Sequence, residues 1–568
     1  MRDMHDSYAR DYIILVIISV LIGLLAAIYD ELLIHLLNFY RWIININPLY
    51  IPLLTTSGIF VAYITVLKIG KIKRTGSGAH DILHSYYTHN GYIHPRDTVS
   101  KAVASLFTMG LGGSAGPEGP AMLIGGGLSS YLSRLFKVSS AKLRRFSLAG
   151  ASAGISAIFR APFTGMLFAL EIPFKRDIES EAFIEAVISS SISYLVFVSI
   201  VGPERIFKPE ALYEAVTIPY LFHAILIGVL TSLIAIFFVL FYRFSKYLSI
   251  KICNYIYPHT ILLPILGGII ISIFIYLDIY TAGPGYIIIK SLIKPGSSIL
   301  IHMVIISILL KMVSTSITLT FGGSGGTFIP SLAVGALTGY LYSNLMGLQE
   351  GYIYIAVGMA SMLAATNKTP LTAVAFVAET VGPGVIIPTL ISSILSYLLT
   401  GYYSFYEIQY PRRMREEELV LSEIYHKLLR INPDILNRVK AIQIASLEPI
   451  VIDADMTVRE ALSVIGHLRF RMYPVIYKNR IVGSIALEDI LGAPEEDLDK
   501  KVVLYVKDAV YVDRNSPLKE VIEKMLLTGL DHVFVVDEEW KLVGIISDVD
   551  VIRYLLDRLS ALHREKGI

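Results

Sequence analysis

One nine-residue pattern occurs twice, and the repeat narrows the folds open to this chain. Gly112-Gly113-Ser114-Ala115-Gly116-Pro117-Glu118-Gly119-Pro120 is followed 210 positions on by Gly322-Gly323-Ser324-Gly325-Gly326-Thr327-Phe328-Ile329-Pro330. Both copies sit in sequence apolar enough for a bilayer. Glycines before a helix leave backbone N–H groups uncovered, and those groups attract anions. A lone glutamate there is costly and points to function.

The duplication extends further. Arg160-Ala161-Pro162-Phe163-Thr164-Gly165-Met166-Leu167-Phe168-Ala169-Leu170-Glu171 matches Lys368-Thr369-Pro370-Leu371-Thr372-Ala373-Val374-Ala375-Phe376-Val377-Ala378-Glu379 at an offset of 208. Ala149-Gly150-Ala151-Ser152 matches Val357-Gly358-Met359-Ala360 at the same offset. The two halves run over about 12–202 and 216–405. Many apolar segments are cut short by glycine or proline, as in inverted-repeat transporters that build a midplane site from broken helices. Glycine and proline are also common in membrane helices generally, but that alone does not predict a repeat.

Composition agrees with a bilayer protein. Of 568 residues, 54% are hydrophobic and 17% charged, against about 25% charged in soluble chains. Tyr12–Tyr29, Ala224–Tyr242, His259–Leu277 and Pro383–Gly401 each approach the ~20 residues of a span. The first follows a mixed-charge leader without a small-residue cleavage site, so it reads as a membrane helix and not a cleaved signal. The single cysteine, Cys253, excludes an intramolecular disulfide. A net charge of +2 gives no basis for a nucleic-acid partner.

Hydropathy changes near Pro411. Residues 1–411 form the membrane unit, and 412–441 a charged, helix-prone linker opening with Arg412-Arg413-Met414-Arg415-Glu416-Glu417-Glu418. Basic residues beside the last span favour a cytoplasmic tail. Residues 442–568 read as soluble α/β sequence, itself duplicated over about 442–500 and 501–568. Val458-Arg459-Glu460-Ala461-Leu462 matches Leu518-Lys519-Glu520-Val521-Ile522, and Val482-Gly483-Ser484-Ile485 matches Val543-Gly544-Ile545-Ile546. The offset grows from 60 to 61, so one residue is inserted after the middle strand. Each copy reads helix, strand, turn, strand, helix.

Amides at a helix start carry partial positive charge, roughly half an elementary charge in sum. They can hold an anion that no buried lysine traps. Glu118 at that place can occupy the anion's position, and protonation would release it. The plainer reading is a capping carboxylate. His80, His84, His89 and His94 invite a metal or pH-sensor reading, but surface-loop histidines are the simpler expectation. No metal site is expected.

Gly116-Pro117-Glu118-Gly119-Pro120 resembles the G-K/R-E-G-P motif of the CLC chloride channel and transporter family. Gly76-Ser77-Gly78 resembles its first anion-site motif, G-S-G-I-P. Gly326-Thr327-Phe328-Ile329-Pro330 matches its G-x-F-x-P, and Tyr406 in Phe405-Tyr406-Glu407 resembles the tyrosine after its last membrane helix. The tail resembles a tandem CBS pair. The resemblance implies an all-α polytopic membrane domain of about 18 partly broken helices in two inverted halves, followed by a cytoplasmic α/β CBS pair. It implies a homodimer in the cell membrane, with N-terminus and tail cytoplasmic, moving chloride and similar small anions without a required cofactor.

It also implies roles. Ser77 and Tyr406 hydroxyls, with the amides of Thr327 and Phe328, would bind chloride. Glu118 would gate, and Gly76, Gly78, Gly116, Gly119 and Gly326 would shape the turns. By themselves, Gly76-Ser77-Gly78 reads as an ordinary turn and Tyr406 as an interfacial aromatic, with Tyr403 a rival for its role. Pro117 departs from the family's basic residue, and Ala79-His80 from its Ile-Pro. Proton-coupled members usually carry a second glutamate after the one at Glu171; here that position is Ile172. Glu171 itself reads as structural, bonded to backbone amides near the following loop.

A voltage- or pH-gated chloride channel is therefore expected, with a chloride/proton antiporter lacking the internal glutamate as the alternative. Ser77 favours chloride, since nitrate-preferring members carry proline there. In the tail, Ser547 and Asp550 fit a ribose-binding pattern for ATP, ADP or AMP. The first copy has Ala486 and Asp489, and a CBS pair without ligand is the other reading. The serines of both glycine turns also fit intramembrane serine protease patterns, but no histidine is suitably placed.

Overall fold

The computed structural model describes residues 2–207, 218–294, 299–348, 351–431, 434–465 and 472–566. The chain divides into two compact units, Met1–Gln409 and Tyr410–Ile568. The expected start of the second half, residue 216, lies outside the described residues.

The first half of unit one contains α1 (Arg2–Ile46), α2 (Ile51–Ile69), α3 (Gly78–Thr88), α4 (Pro95–Gly110), α5 (Glu118–Leu135), α6 (Ser140–Phe159), α7 (Pro162–Glu171) and α8 (Phe183–Val201). The second contains α9 (Ile218–Tyr255), α10 (Leu262–Leu277), α11 (Tyr286–Ile293), α12 (Ile301–Thr320), α13 (Phe328–Leu345), α14 (Gly351–Asn367), α15 (Pro370–Thr380) and α16 (Ile386–Leu399). Sixteen α-helices among the described residues replace the expected eighteen, since α1 and α9 run unbroken for 45 and 38 residues. Five helical segments are long and apolar enough to cross a membrane. The expected spans at 259–277 and 383–401 are shorter than their hydropathy suggested. A turn ahead of α10 leaves it 16 residues, and a 3-10 turn at Pro383–Val385 leaves α16 with 14.

The repeat is visible as pairs of equivalent contacts. Within the first half, α5 and α6 touch at Gly125 and Gly150, where a Cβ on either would strike the other's carbonyl; α13 and α14 touch likewise at Gly335 and Gly358. Across the halves, Gly116 N–H donates to Gly326 O at 2.8 Å and Gly326 N–H to Gly116 O at 2.7 Å. Ser114 N–H donates to Thr318 Oγ1 at 3.1 Å, and Ser324 N–H to Thr108 Oγ1 at 3.0 Å. Each bond has its counterpart at an offset of 210, so a pseudo-dyad passes between the glycine turns. Both turns begin at a positive φ, +101° at Gly112 and +116° at Gly322, a conformation that side chains resist.

Unit two opens with Arg412 and Arg415 holding Glu418, each at 2.9 Å. The helix α17 (Glu416–Ile431) belongs to this unit: Tyr425 Oη donates to Glu523 Oε1 at 2.9 Å. Each copy builds a short parallel pair plus a hairpin. In the first, Ile452–Asp453 lies parallel to Met472–Tyr477, which pairs antiparallel with Arg480–Ala486. In the second, Tyr511–Asp513, His532–Val536 and Leu542–Ser547 repeat this, with a register irregularity at the equivalent place. The leading strands are additional to the expected order, because two or three residues give no readable alternation. The inserted residue falls in the hairpin turn, as expected. Ser446–Leu447 pairs with Leu542–Ser547 of the second copy, giving that sheet four strands.

Candidate functional site

Two helix starts meet beside the pseudo-dyad. α5 begins at Glu118 and α13 at Phe328, after Pro117 and Thr327 respectively. Their uncovered amides make a shared electropositive spot. Glu118 is fully buried and fills it. Its Oε1 accepts from Phe328 N–H at 2.5 Å, and the amides of Ile329 and of Glu118 itself also face the carboxylate. Gly116 and Gly326 flank the carboxylate so closely that a Cβ on either would collide with it. Oε2 has no hydrogen-bond partner among the described residues. The carboxylate thus occupies a cradle built for a negative charge.

Ser77 and Tyr406 lie on the same site. Gly76–Ser77 forms a two-residue parallel bridge with Ser324–Gly325, which ties the Ser77 turn to the second glycine turn. Gly78 abuts the Gly119 carbonyl, and Gly119 abuts that of Gly325. Ser77 Oγ is buried and interacts with the Tyr406 hydroxyl, which brings the two groups together. Tyr406, 1% exposed, places Oη 3.3 Å from Thr327 Oγ1. Tyr403 is 39% exposed and stacks under Arg243, so Tyr406 is the tyrosine inside the site. Thr327 brings its hydroxyl, whereas the amides that face Glu118 are those of Phe328 and Ile329.

The Phe328 ring packs on Phe159, Phe168 and Phe376 with centroids 4.8, 5.1 and 5.0 Å away. Ile172 is wholly buried at the end of α7. Its carbonyl accepts from Gln409 Nε2 at 2.8 Å, and the same nitrogen donates to Asn367 O at 3.0 Å. Ser404 Oγ donates to Gln409 Oε1 at 2.6 Å and accepts from Tyr406 N–H at 3.1 Å. Gln409 therefore pins the Tyr406 turn to the ends of α7 and α14. No motif marks Gln409. The Thr108–Thr318 pair was available from the repeat, since it extends the 210 offset upstream.

Glu171 is structural, but its partner differs from the expected nearby loop. Its carboxylate accepts from Leu371 N–H at 3.0 Å, Thr372 N–H at 2.7 Å and Thr372 Oγ1 at 2.5 Å. These groups start α15 in the other half, where a carboxylate meets unpaired amides and a helix dipole. Glu379 does the same for α7, accepting from Phe163 N–H, Thr164 N–H and Thr164 Oγ1 at 3.0, 2.8 and 2.6 Å.

Two of the four histidines expected in surface loops are helical, and two flank the α3–α4 connection. His80 and His84 lie on α3, and His89 ends it. His94 caps α4, accepting from Arg96 N–H at 3.2 Å. Thr88 links His84 and His89, whose rings stack 5.5 Å apart. No group of three metal-ligating side chains occurs among the described residues.

In the tail, Ser547 Oγ and N–H both donate to Asp550 Oδ2, at 2.6 and 3.0 Å, and Asp550 N–H donates back to Ser547 Oγ at 3.2 Å. This is a capping box on the helix Asp548–Lys566. In the first copy, Asp489 pairs with Lys507 at 2.7 Å.

Comparison with known proteins agrees with this architecture. The voltage gated chloride channel family matches residues 57–401, and CBS domains match 439–496 and 502–557. An uncharacterized protein of Methanocaldococcus jannaschii is 28% identical over 387 residues, 67% of this chain and 92% of that one. The H(+)/Cl(-) exchange transporter ClcA of Vibrio campbellii is 26% identical over 430 residues, 71% of this chain and 89% of that one. The crystal structure of a eukaryotic CLC transporter shares the fold with a TM-score of 0.59, at 19% identity, covering 95% of this chain and 98% of that one. The chain belongs to the voltage gated chloride channel family, whose members move anions across membranes and are not enzymes, and it carries a tandem CBS pair after the membrane fold.

Proposed function

We propose that the protein conducts chloride passively, with Glu118 as its gate and Ser77, Thr327, Phe328 and Tyr406 as the groups that bind the anion. The gate reading rests on the buried Glu118 carboxylate in a cradle of amides. Chloride would take the carboxylate's place once protonation or a field draws it out, gaining the same amides. Other small anions should follow, since amides and hydroxyls discriminate halides weakly.

The observation that carries passive conduction is Ile172, an aliphatic side chain buried where proton-coupled members place a carboxylate. Neither it nor Gln409 beside it carries a proton at physiological pH. A chloride/proton exchanger is the second reading, favoured by the name of the Vibrio campbellii relative. Purified protein in liposomes under crossed chloride and proton gradients separates the two. The expected reversal potential follows chloride alone. Uphill proton movement driven by a chloride gradient would establish exchange instead.

Further parts of the reading are a homodimer with one pore per subunit, in the cell membrane, with both termini cytoplasmic. The CBS pair would regulate the pore by binding ATP, ADP or AMP at Ser547 and Asp550. Binding would require nucleotide hydroxyls to displace Ser547 from the Asp550 carboxylate. Calorimetry on the full chain should register ATP or AMP binding that Asp550→Ala abolishes. No heat would leave the tail as a ligand-free structural module, and equal binding by the variant would place the nucleotide away from Asp550.

A further inference from the structure

A second, separate collection of charge lies on the other side of Pro117. A cavity of about 250 Å³ opens there, with Pro117 in its wall and neither Ser77 nor Tyr406 lining it. Among the described residues, four basic side chains, Arg41, Arg160, Arg205 and Lys290, face two carboxylates, Asp30 and Glu204. The excess is two positive charges in a cleft whose remaining walls are mostly apolar, an arrangement that concentrates field lines on a small anion.

Pairing does not cancel this excess. Arg160 meets Asp30 only at 4.0 Å, and its Nη1 donates to the Glu204 carbonyl at 3.0 Å. Arg160 and Arg41 both act on Lys290 with like charge, and Glu204 opposes them. Basic groups gathered this way repel one another unless an anion sits between them.

The cavity also lies beside the proposed gate: Pro117, in its wall, immediately precedes Glu118. Arg160 holds φ at +51° as the residue ending α6. This left-handed turn directs the chain from α6 into α7 and sets the guanidinium at the cavity rim. A residue more tolerant of that conformation would serve the turn better, so its backbone role does not explain an arginine here.

We propose that this cavity is an anion-collecting site, holding one small monovalent anion against Arg160 and Lys290 immediately before it reaches the Glu118 cradle. The inference rests on the conduction reading above and adds a second binding step on one face of the membrane. Arg160 is the residue that sets its affinity, and Lys290 raises the local anion concentration.

Arg160→Asn is the first test, because asparagine tolerates the positive φ while losing the charge. Lys290→Gln, at an exposed position, is the second and carries little folding risk. In full-length protein in planar bilayers, each should raise the half-saturating chloride concentration on this face by about threefold, the scale of a partly exposed charge pair. The dependence on chloride at the opposite face should stay as in wild type, and Arg160→Lys should restore most of the affinity. Half-saturation unchanged, or shifted equally on both faces, would overturn the proposal. A transport-free readout covers the case in which wild type carries no chloride and the conduction reading itself fails. Crystals of the full chain soaked in bromide should give an anomalous peak between Arg160 and Lys290 that Arg160→Asn removes. Absence of the peak in wild type would overturn the site independently of any flux.

Discussion

The two halves of the membrane unit share a backbone plan and differ in a few side chains, and those few carry the chemistry. Glycine turns, threonine-to-amide bonds and carboxylate-capped helices recur on both sides of the pseudo-dyad. Other charged groups change identity or partner between the halves. Glu118 in the first half is matched by Phe328 in the second, so one helix start carries a titratable carboxylate and the other an aromatic ring packed on Phe168 and its counterpart Phe376. Lys101 and Lys311 are equivalent at an offset of 210, yet Lys101 pairs with Asp81 whereas Lys311 donates to the carbonyls of Thr281 and Gly283. Duplication thus supplies the frame, and the breaks in it supply asymmetry: one carboxylate and one tyrosine at the site, each without a counterpart in the other half.

The shared frame should be most sensitive at its reciprocal caps. Glu171→Gln keeps the shape but turns an amide group toward the α15 amides and removes a charge that accepts three bonds. A loss of about 4 kcal/mol is expected, read as a lower thermal midpoint in detergent. Glu379→Gln, at the less enclosed of the two sites, should cost less. Equal midpoints for wild type and Glu171→Gln would show that the caps do not hold the halves together. The lysines should break the symmetry. Lys101→Met leaves the buried Asp81 with Arg74 alone, at 2.9 Å, and should cost about 3 kcal/mol. Lys311→Met frees two carbonyls but also relieves a buried ammonium, so its net effect should stay within about 1 kcal/mol. The same midpoints decide this, and similar losses from both would mean that the partners do not matter.

The gate is the next difference to test. An ionised Glu118 competes with the anion for the same amides, whereas a protonated one carries no charge to compete with. Flux should therefore rise as pH falls, and Glu118→Gln should hold it high, several-fold above wild type at neutral pH, with a flat pH profile. A variant with unchanged flux and pH response would remove Glu118 from gating. Phe328→Leu, the equivalent change in the other half, should leave the pH profile as it is.

Much of the frame was legible because duplication prints itself at constant offsets. The glycine turns, the Glu171 and Glu379 segments and the tail repeat were all found this way. What escaped had no such mark. Gln409 acts through contacts with Ile172 and Asn367 that are distant in sequence and have no copy. The cross-half partner of Glu171 was misplaced because the sequence shows which segments are alike but not that the dyad swaps their partners. His80 and His84 read as loop residues because α3 is short and poor in apolar residues, although the helix buries most of its length. Helix lengths were misjudged where proline or a turn shortened an apolar run.

The smallest effect is expected where the sequence left two tyrosines open. The 3-10 turns that lead into α8 and α16 set the offset there at 203, and the counterpart of Tyr406 is Pro203, so the first half offers no hydroxyl at the equivalent place. Tyr406 reaches the site only because the turn after α16 folds back under Gln409, and its hydroxyl has Thr327 as partner at 3.3 Å, a long bond. Losing one long neutral bond costs little, so Tyr406→Phe should change chloride flux by no more than about threefold. Tyr403→Phe, which removes a hydroxyl from a half-exposed ring beside Arg243, should change nothing measurable. Chloride binding by calorimetry gives the sharper reading: weaker for Tyr406→Phe and unaltered for Tyr403→Phe. The reverse order would place the anion on the other tyrosine. Equal, unchanged binding in both would mean that the amides and Ser77 hold chloride without any phenol, and the asymmetry between halves would then reduce to Glu118 alone.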